Sequence, residues 1–200
     1  MNSGVLGGTF DPVHNGHIVV AEETRRLLSL DEVLFIPAGD PWLKAGNSIL
    51  PAEHRVQMVR LAIAGKPYFK LSTMEIDRAG PTYTVDTISE LRSRLGPADE
   101  LFFILGRDNL AQLPRWREPS RLIEMCRLVV VPRPGYSLPD LRSLEEAIPG
   151  ISRVLVLLDK PEMDIDSTEI RNRVAQGLSI SHLVPKAVDE YIKQHKLYSS

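Results

Sequence analysis

The chain has one cysteine among its 200 residues, Cys126, which excludes an intrachain disulfide and any cysteine-based metal cluster. No apolar stretch approaches the length that spans a bilayer, and the first residues lack a basic region followed by a long apolar run. Blocks of like charge are missing too, and the formal net charge is −2, so nothing points to a nucleic-acid groove or a membrane-surface patch. An anionic ligand must then be held by a local site. Three catalytic signatures are absent: a glutamate in an HExxH zinc pattern, a GxSxG nucleophile elbow, and a P-loop lysine after a glycine run. Cys126 has no activating partner nearby in sequence and reads as a small buried hydrophobe beside a strand. The expectation is a soluble, cytoplasmic protein with one compact domain over residues 1–200, its C-terminal helical portion covering about 166–200. Self-association into a homo-oligomer is left open.

What is present is an alternation. Short runs rich in branched residues at Val5 and Leu6, Val33 to Ile36, Leu101 to Leu105, Leu128 to Val131 and Val154 to Leu158 read as buried strands. Between and after them, helical patterns cover Ile18 to Leu28, Ala52 to Ala64, Val85 to Leu95, Ser120 to Met125, Thr168 to Ala175 and Lys186 to Gln194. The predicted class is α/β, a Rossmann-like doubly wound parallel sheet with helices on both faces. Ligands in such sheets bind beyond the carboxyl ends of the strands, where strand order reverses. Ala38 to Pro51 and Arg78 to Tyr83 read as loops, and Pro132 to Pro149 as loop-rich with a short helix around Leu141 to Ala147.

Gly7 to His17, GGTFDPVHNGH, is the most informative segment, because it follows a strand and opens a helix. Paired glycines let the backbone approach a ligand, and the helix start attracts phosphate. His14 and His17 fall on one face of the first turn if the helix has begun by then. The second segment is Asp166 to Arg171, DSTEIR. Asp166 and Glu169 alone read as a capped helix, but a cation as early as Arg171 opposes the helix dipole unless Ser167, Thr168 and the amides share a polyphosphate with it. Other residues carry two readings each. Lys44 is a solvated lysine or a phosphate contact from a lid; Asp108, in Gly106-Arg107-Asp108, is a helix N-cap or a ribose acceptor; Trp116 is partial core or a flat platform for a ring.

Together these motifs closely resemble the bacterial nicotinate-nucleotide adenylyltransferases of the HxGH nucleotidyltransferase superfamily. The likeness runs nearly the whole length, through GGTFDPVHNGH, DRAGPTYTVDT at Asp77 to Thr87, Gly106 to Asp108, Trp116, Arg133 to Gly135, DSTEIR and LVPKAVDEYI. It implies transfer of AMP from ATP to nicotinic acid mononucleotide, with Mg2+ on the ATP phosphates, no metal-ligating side chains and no covalent enzyme intermediate. It further implies that His17, His14, Lys44 and Arg171 are catalytic. Gly7, Gly8, Thr9, Phe10, His14, His17, Gly106, Asp108, Arg133, Ser167, Thr168 and Arg171 would bind ATP. Thr9, Lys44, Tyr83, Thr84 and Trp116 would bind the mononucleotide. Two positions depart from the family pattern: Trp42-Leu43-Lys44 stands for proline-histidine-lysine, and Asp166 replaces a serine and reads as a helix cap. Pantetheine-phosphate adenylyltransferases and cytidylyltransferases share the histidines and are the nearest enzymatic rivals; a nucleotide sensor without turnover is the alternative from another class.

Overall fold

A computed structural model describes residues 1–41 and 49–199. Trp42, Leu43 and Lys44 lie outside the described residues. The chain runs β1 (Asn2–Gly8), α1 (Asn15–Leu28), β2 (Glu32–Pro37), β3 (Asp40–Pro41), α2 (Ala52–Ala62), β4 (Phe69–Leu71) and β5 (Pro81–Thr82). There follow α3 (Thr84–Ser93), β6 (Glu100–Gly106), α4 (Arg107–Gln112), α5 (Pro119–Met125), β7 (Arg127–Val131), α6 (Leu141–Ala147), β8 (Leu155–Leu157), α7 (Ser167–Ala175) and α8 (Lys186–Gln194). Six strands form one sheet in the order β4-β2-β1-β6-β7-β8, and every pairing in it is parallel. This is the doubly wound arrangement, with its change of direction between β1 and β6. Among the described residues no helix is long and apolar enough to cross a membrane.

Side-chain alternation along the central strands builds a separate core on each face. Phe102, Ile104 and Val129 join Phe35 under α1, α2, α7 and α8. Leu101, Phe103, Leu105, Leu128 and Val130 face the other way, onto Ile88 of α3, Leu110 of α4 and Leu122 of α5. Cys126 belongs to this second core beside β7, and burial pushes its thiol up to about 12, so it carries no thiolate.

Four local features differ from the sequence reading. Phe69 to Leu71 adds an edge strand too short to show an apolar run. Pro81–Thr82, inside the predicted second loop, pairs in parallel with Asp40–Pro41 inside the first. Gly106 is the N-cap of α4, so the glycine turn opens a helix and Asp108 sits within its first turn, not at its cap. The helix predicted from Ile18 begins at Asn15, with His14 as its N-cap.

The loops over the sheet are held by a buried arginine. Arg55 stands on the apolar stripe of α2 with Met58, Val59 and Ala62, and only 2% of it is exposed. Its Nε donates to the carbonyl of Leu50 (3.0 Å), and its Nη1 to those of Thr9 (2.9 Å) and Ala38 (2.8 Å). Three stretches of irregular backbone thereby share one cation. Replacing it with an apolar side chain leaves three carbonyls without that partner, and each buried unsatisfied group costs about 1–3 kcal/mol. Arg55→Leu is expected to lower stability by about 3 kcal/mol in urea unfolding, a penalty that an unchanged midpoint would refute.

Candidate active site

Pairing between β1 and β6 stops at Val5 opposite Phe103, whereas β1 stays paired to β2 as far as Gly8 and β6 to β7 as far as Gly106. The two central strands part, and a cavity of about 890 Å³ opens between their carboxyl ends. Its lining includes Gly7 to Phe10, His14, His17, Thr84, Gly106, Asp108, Trp116, Arg133, Ser167, Thr168 and Arg171. Two loops and two helix starts from opposite ends of the chain thus meet at one opening. Tyr83 is the N-cap residue of α3, with the Arg117 guanidinium 4.6 Å above its ring, and it is not among the lining residues.

The first wall is the start of α1. His14 and His17 stack with centroids 3.6 Å apart, and the His14 N–H donates to Nδ1 of His17 at 3.2 Å. A ring nitrogen that accepts carries no proton, so the His17 proton resides on Nε2 and that atom is a donor. Phe10, which the resemblance assigns to ATP, lines the cavity but is only 2% exposed, and its ring meets His17 edge-on at 5.0 Å. It fixes His17 from the core side, in a left-handed backbone conformation (φ 51°) uncommon outside glycine. Gly16 lies so close to His14 that a Cβ there would stand 3.0 Å from Nδ1.

The second wall is α7. Asp166 caps it, accepting from the amides of Thr168 (2.6 Å) and Glu169 (3.3 Å), as its replacement of serine suggested. Burial pushes the Asp166 carboxyl up, but these amides, the Thr168 hydroxyl and Arg133 outweigh it and hold the group below the ordinary range. Ser167 donates its hydroxyl to the carbonyl of Pro12 (2.9 Å). Arg171 reaches the carbonyl of Asp11 (2.7 Å) and the hydroxyl of Thr168 (3.2 Å). The α7 wall is thereby fastened to the loop that precedes α1.

Arg133, just after β7, bridges Asp108 (2.8 Å) and Asp166 (3.2 Å) across the cavity floor. The Asp108 carboxylate turns back over Gly106 so tightly that a Cβ there would stand 2.3 Å from its Oδ1. A side chain at this position would force the Asp108 carboxylate to move. His14 Nδ1, Asp108 Oδ1 and Trp116 Nε1 are shielded from solvent and without a hydrogen-bond partner among the described residues. Such atoms cost about 1–3 kcal/mol each, and the residues that carry them line the cavity. Trp116 meets Phe103 edge-on at 6.0 Å, so it is anchored on the core while lining the cavity.

Sequence reasoning missed Glu75. It lines the cavity, accepts from the Thr87 hydroxyl at 2.7 Å, and burial raises its carboxyl above the ordinary range against the pull of Thr87 and Thr82. No local motif marks it, because its partners come from β5 and α3.

Burial draws His14 from its ordinary 6.5 down to about 4, with Asp166 opposing and Arg133 reinforcing the shift. The unfolded chain therefore takes up the proton first as pH falls. Stability from this group is complete above pH 6.5 and declines between 6.5 and about 4, by about 3 kcal/mol in all. The His14 ring is expected to titrate near 4 by NMR, and a midpoint near 6.5 would contradict the burial argument.

The comparisons agree with this architecture. The family model described as cytidylyltransferase-like matches residues 5–173. A "Probable nicotinate-nucleotide adenylyltransferase" of Dehalococcoides mccartyi is 50% identical over 198 residues, covering 99% of this chain and 97% of its own. A protein of the same description from Roseiflexus sp. is 50% identical over 195 residues, covering 98% and 96%. Among solved structures, a Plasmodium falciparum nicotinic acid mononucleotide adenylyltransferase complexed with NaAD superposes with a TM-score of 0.81 at 20% identity, covering 98% of this chain and 97% of that one. At that identity it shows the fold. The sequence identity over almost the full length shows more: the chain belongs to the nicotinate-nucleotide adenylyltransferases within the cytidylyltransferase-like family.

Proposed function

We propose that the protein transfers AMP from ATP to nicotinic acid mononucleotide, yielding nicotinic acid adenine dinucleotide and pyrophosphate for NAD biosynthesis in the cytoplasm. The observation that carries this is the cavity at the parting of β1 and β6, with the α1 and α7 helix starts fastened together by Ser167 and Arg171. The positive ends of two helix dipoles and a guanidinium lie along one opening and favour a polyphosphate. The full-length relatives supply the substrate pair.

In this reading the α1 wall takes the phosphate under attack and the α7 wall the departing pyrophosphate. A phosphate oxygen of the mononucleotide forms a bond to the α-phosphorus, the bond from that phosphorus to the bridging oxygen breaks, and its electron pair leaves with pyrophosphate. The chain contributes position and charge stabilisation, without a nucleophile of its own. His17 donates from Nε2 to charge that develops on the transferring group. His14, neutral at physiological pH, braces His17 by stacking on its ring and bonding its Nδ1. Ser167, Thr168 and Arg171 hold the β and γ phosphates, while Gly106, Asp108 and Arg133 surround adenosine. Mg2+ fits this site as a passenger on the triphosphate, because the carboxylates of Asp108 and Asp166 are already bridged by Arg133. Bound there, the ion would neutralise phosphate charge and polarise the phosphoryl group. Thr9, Thr84 and Trp116 face the mononucleotide, and Tyr83 sets the start of α3 beside them. Lys44 is assigned to phosphate contact from its sequence motif alone.

Pyrophosphate release should be fastest with nicotinic acid mononucleotide when it is compared in parallel with nicotinamide mononucleotide and phosphopantetheine. His17→Ala should lower kcat about a hundredfold with little change in KM, since a donor to developing charge acts in the transition state. Faster release with phosphopantetheine, or full turnover in the folded mutant, would redirect the assignment.

Trp116→Ala should raise the KM for the mononucleotide roughly tenfold and leave that for ATP unchanged, given about 1–3 kcal/mol per stacked base on an aromatic platform. Trp116→Phe should recover part of the loss. An equal effect on both substrates would make Trp116 a packing residue only.

A further inference from the structure

Tyr198 lies four residues after α8, in a left-handed backbone conformation (φ 60°), and its half-buried ring packs against the core on the α1 side of the sheet. Its hydroxyl crosses to the loop before α1 and donates to Oδ1 of Asp11 at 2.7 Å. Asp11 is 4% exposed, and its other carboxylate oxygen accepts from the amide of Leu50 at 3.4 Å. The same residue uses its backbone carbonyl to hold Nη1 of Arg171 at 2.7 Å. One residue thus holds the cavity-facing guanidinium by its carbonyl while its buried carboxylate is held by Tyr198.

That juxtaposition sets up a competition. A carboxylate shielded from water needs strong donors, and a guanidinium is the strongest nearby. Arg55 also feels the Asp11 charge, and three of its five N–H donors are committed to the carbonyls of Thr9, Ala38 and Leu50. Among the described residues Arg171 bonds one carbonyl and the Thr168 hydroxyl at the rim. Without the Tyr198 hydroxyl, Arg171, already bonded to the Asp11 carbonyl, can swing onto the Asp11 carboxylate. It would then be withdrawn from an incoming phosphate.

We infer that Tyr198 is a positioning residue for ATP: its hydroxyl satisfies the buried Asp11 carboxylate and so keeps Arg171 available to the triphosphate. The inference rests on the adenylyltransferase reading for the identity of the ligand, and on the Tyr198, Asp11 and Arg171 contacts for the mechanism.

The test is calorimetric binding of ATP and of nicotinic acid mononucleotide, each alone, to the full chain. Tyr198→Phe, which removes only the hydroxyl, is expected to weaken ATP about tenfold and leave the mononucleotide within twofold of wild type. In an Asp11→Asn background, where no charge recruits Arg171, the same replacement should change ATP affinity by less than twofold. Loss of both ligands together, unchanged ATP affinity, an equal loss in the Asp11→Asn background, or a Tyr198→Phe chain too unstable to bind either ligand would each overturn the inference and leave Tyr198 a structural residue. Wild-type protein that binds ATP but releases no pyrophosphate with the mononucleotide would instead count against the proposed function. The ATP measurements on the variants would still decide the role of Tyr198.

Discussion

In a parallel sheet whose strand order runs outward in both directions from its middle, the two central strands send their chains to opposite faces. Here β1 leads to α1 on one side and β6 to α4 on the other, and their ladder ends at Val5 and Phe103. Every feature of the site follows from that separation. The glycines at the ends of both strands, the helix that opens at His14 and the helix that opens at Gly106 all begin where the ladder has stopped. The opening is a consequence of topology, and the side chains decide what enters it.

Those side chains solve an electrostatic problem under a constraint, because the chain carries no excess of positive charge to attract an anion from afar. The positive potential is local and ordered in advance. Arg133 is oriented by two carboxylates and Arg171 by a carbonyl and a hydroxyl. Such partners cost some attraction toward phosphate and return rigidity, so little reorganisation is left for the reaction itself. The stacked histidines fit the same logic. A charged His14 would add attraction but would have to be desolvated, and burial resolves that conflict in favour of the neutral ring.

How much of this the sequence revealed depended on whether the cause was local. The five strands read from short apolar runs and the helix at Lys186–Gln194 were legible because a few residues of local apolar pattern define each of them. Pro81–Thr82 was not, since a two-residue strand exists only through its partner some 40 residues earlier. The short helix at Arg107–Gln112 was hidden behind a glycine that looks like a turn and acts as a cap. Most motif residues do reach the cavity, Phe10 among them with its ring against His17, whereas Tyr83 stands beside it. Tyr198 and Glu75 have no sequence signature, because their roles come from distant partners. Arg55 had one: a cation on a helical stripe otherwise occupied by Met58, Val59 and Ala62.

The bonds that fasten the two walls also set a timetable. Ser167 meets Pro12 across 155 residues and Arg171 meets Asp11 across 160, so the phosphate cradle is among the most non-local parts of the molecule. During synthesis the GGTFDPVHNGH loop emerges early and must wait for most of the chain before its opposite wall exists. At about 5–20 residues per second on the ribosome, that interval lasts roughly ten seconds or more. A ribosome-bound chain in that interval presents a sheet that is partly built and a nucleotide site that is only half walled. Nucleotide therefore cannot template the early folding of this protein; it can only select the finished one.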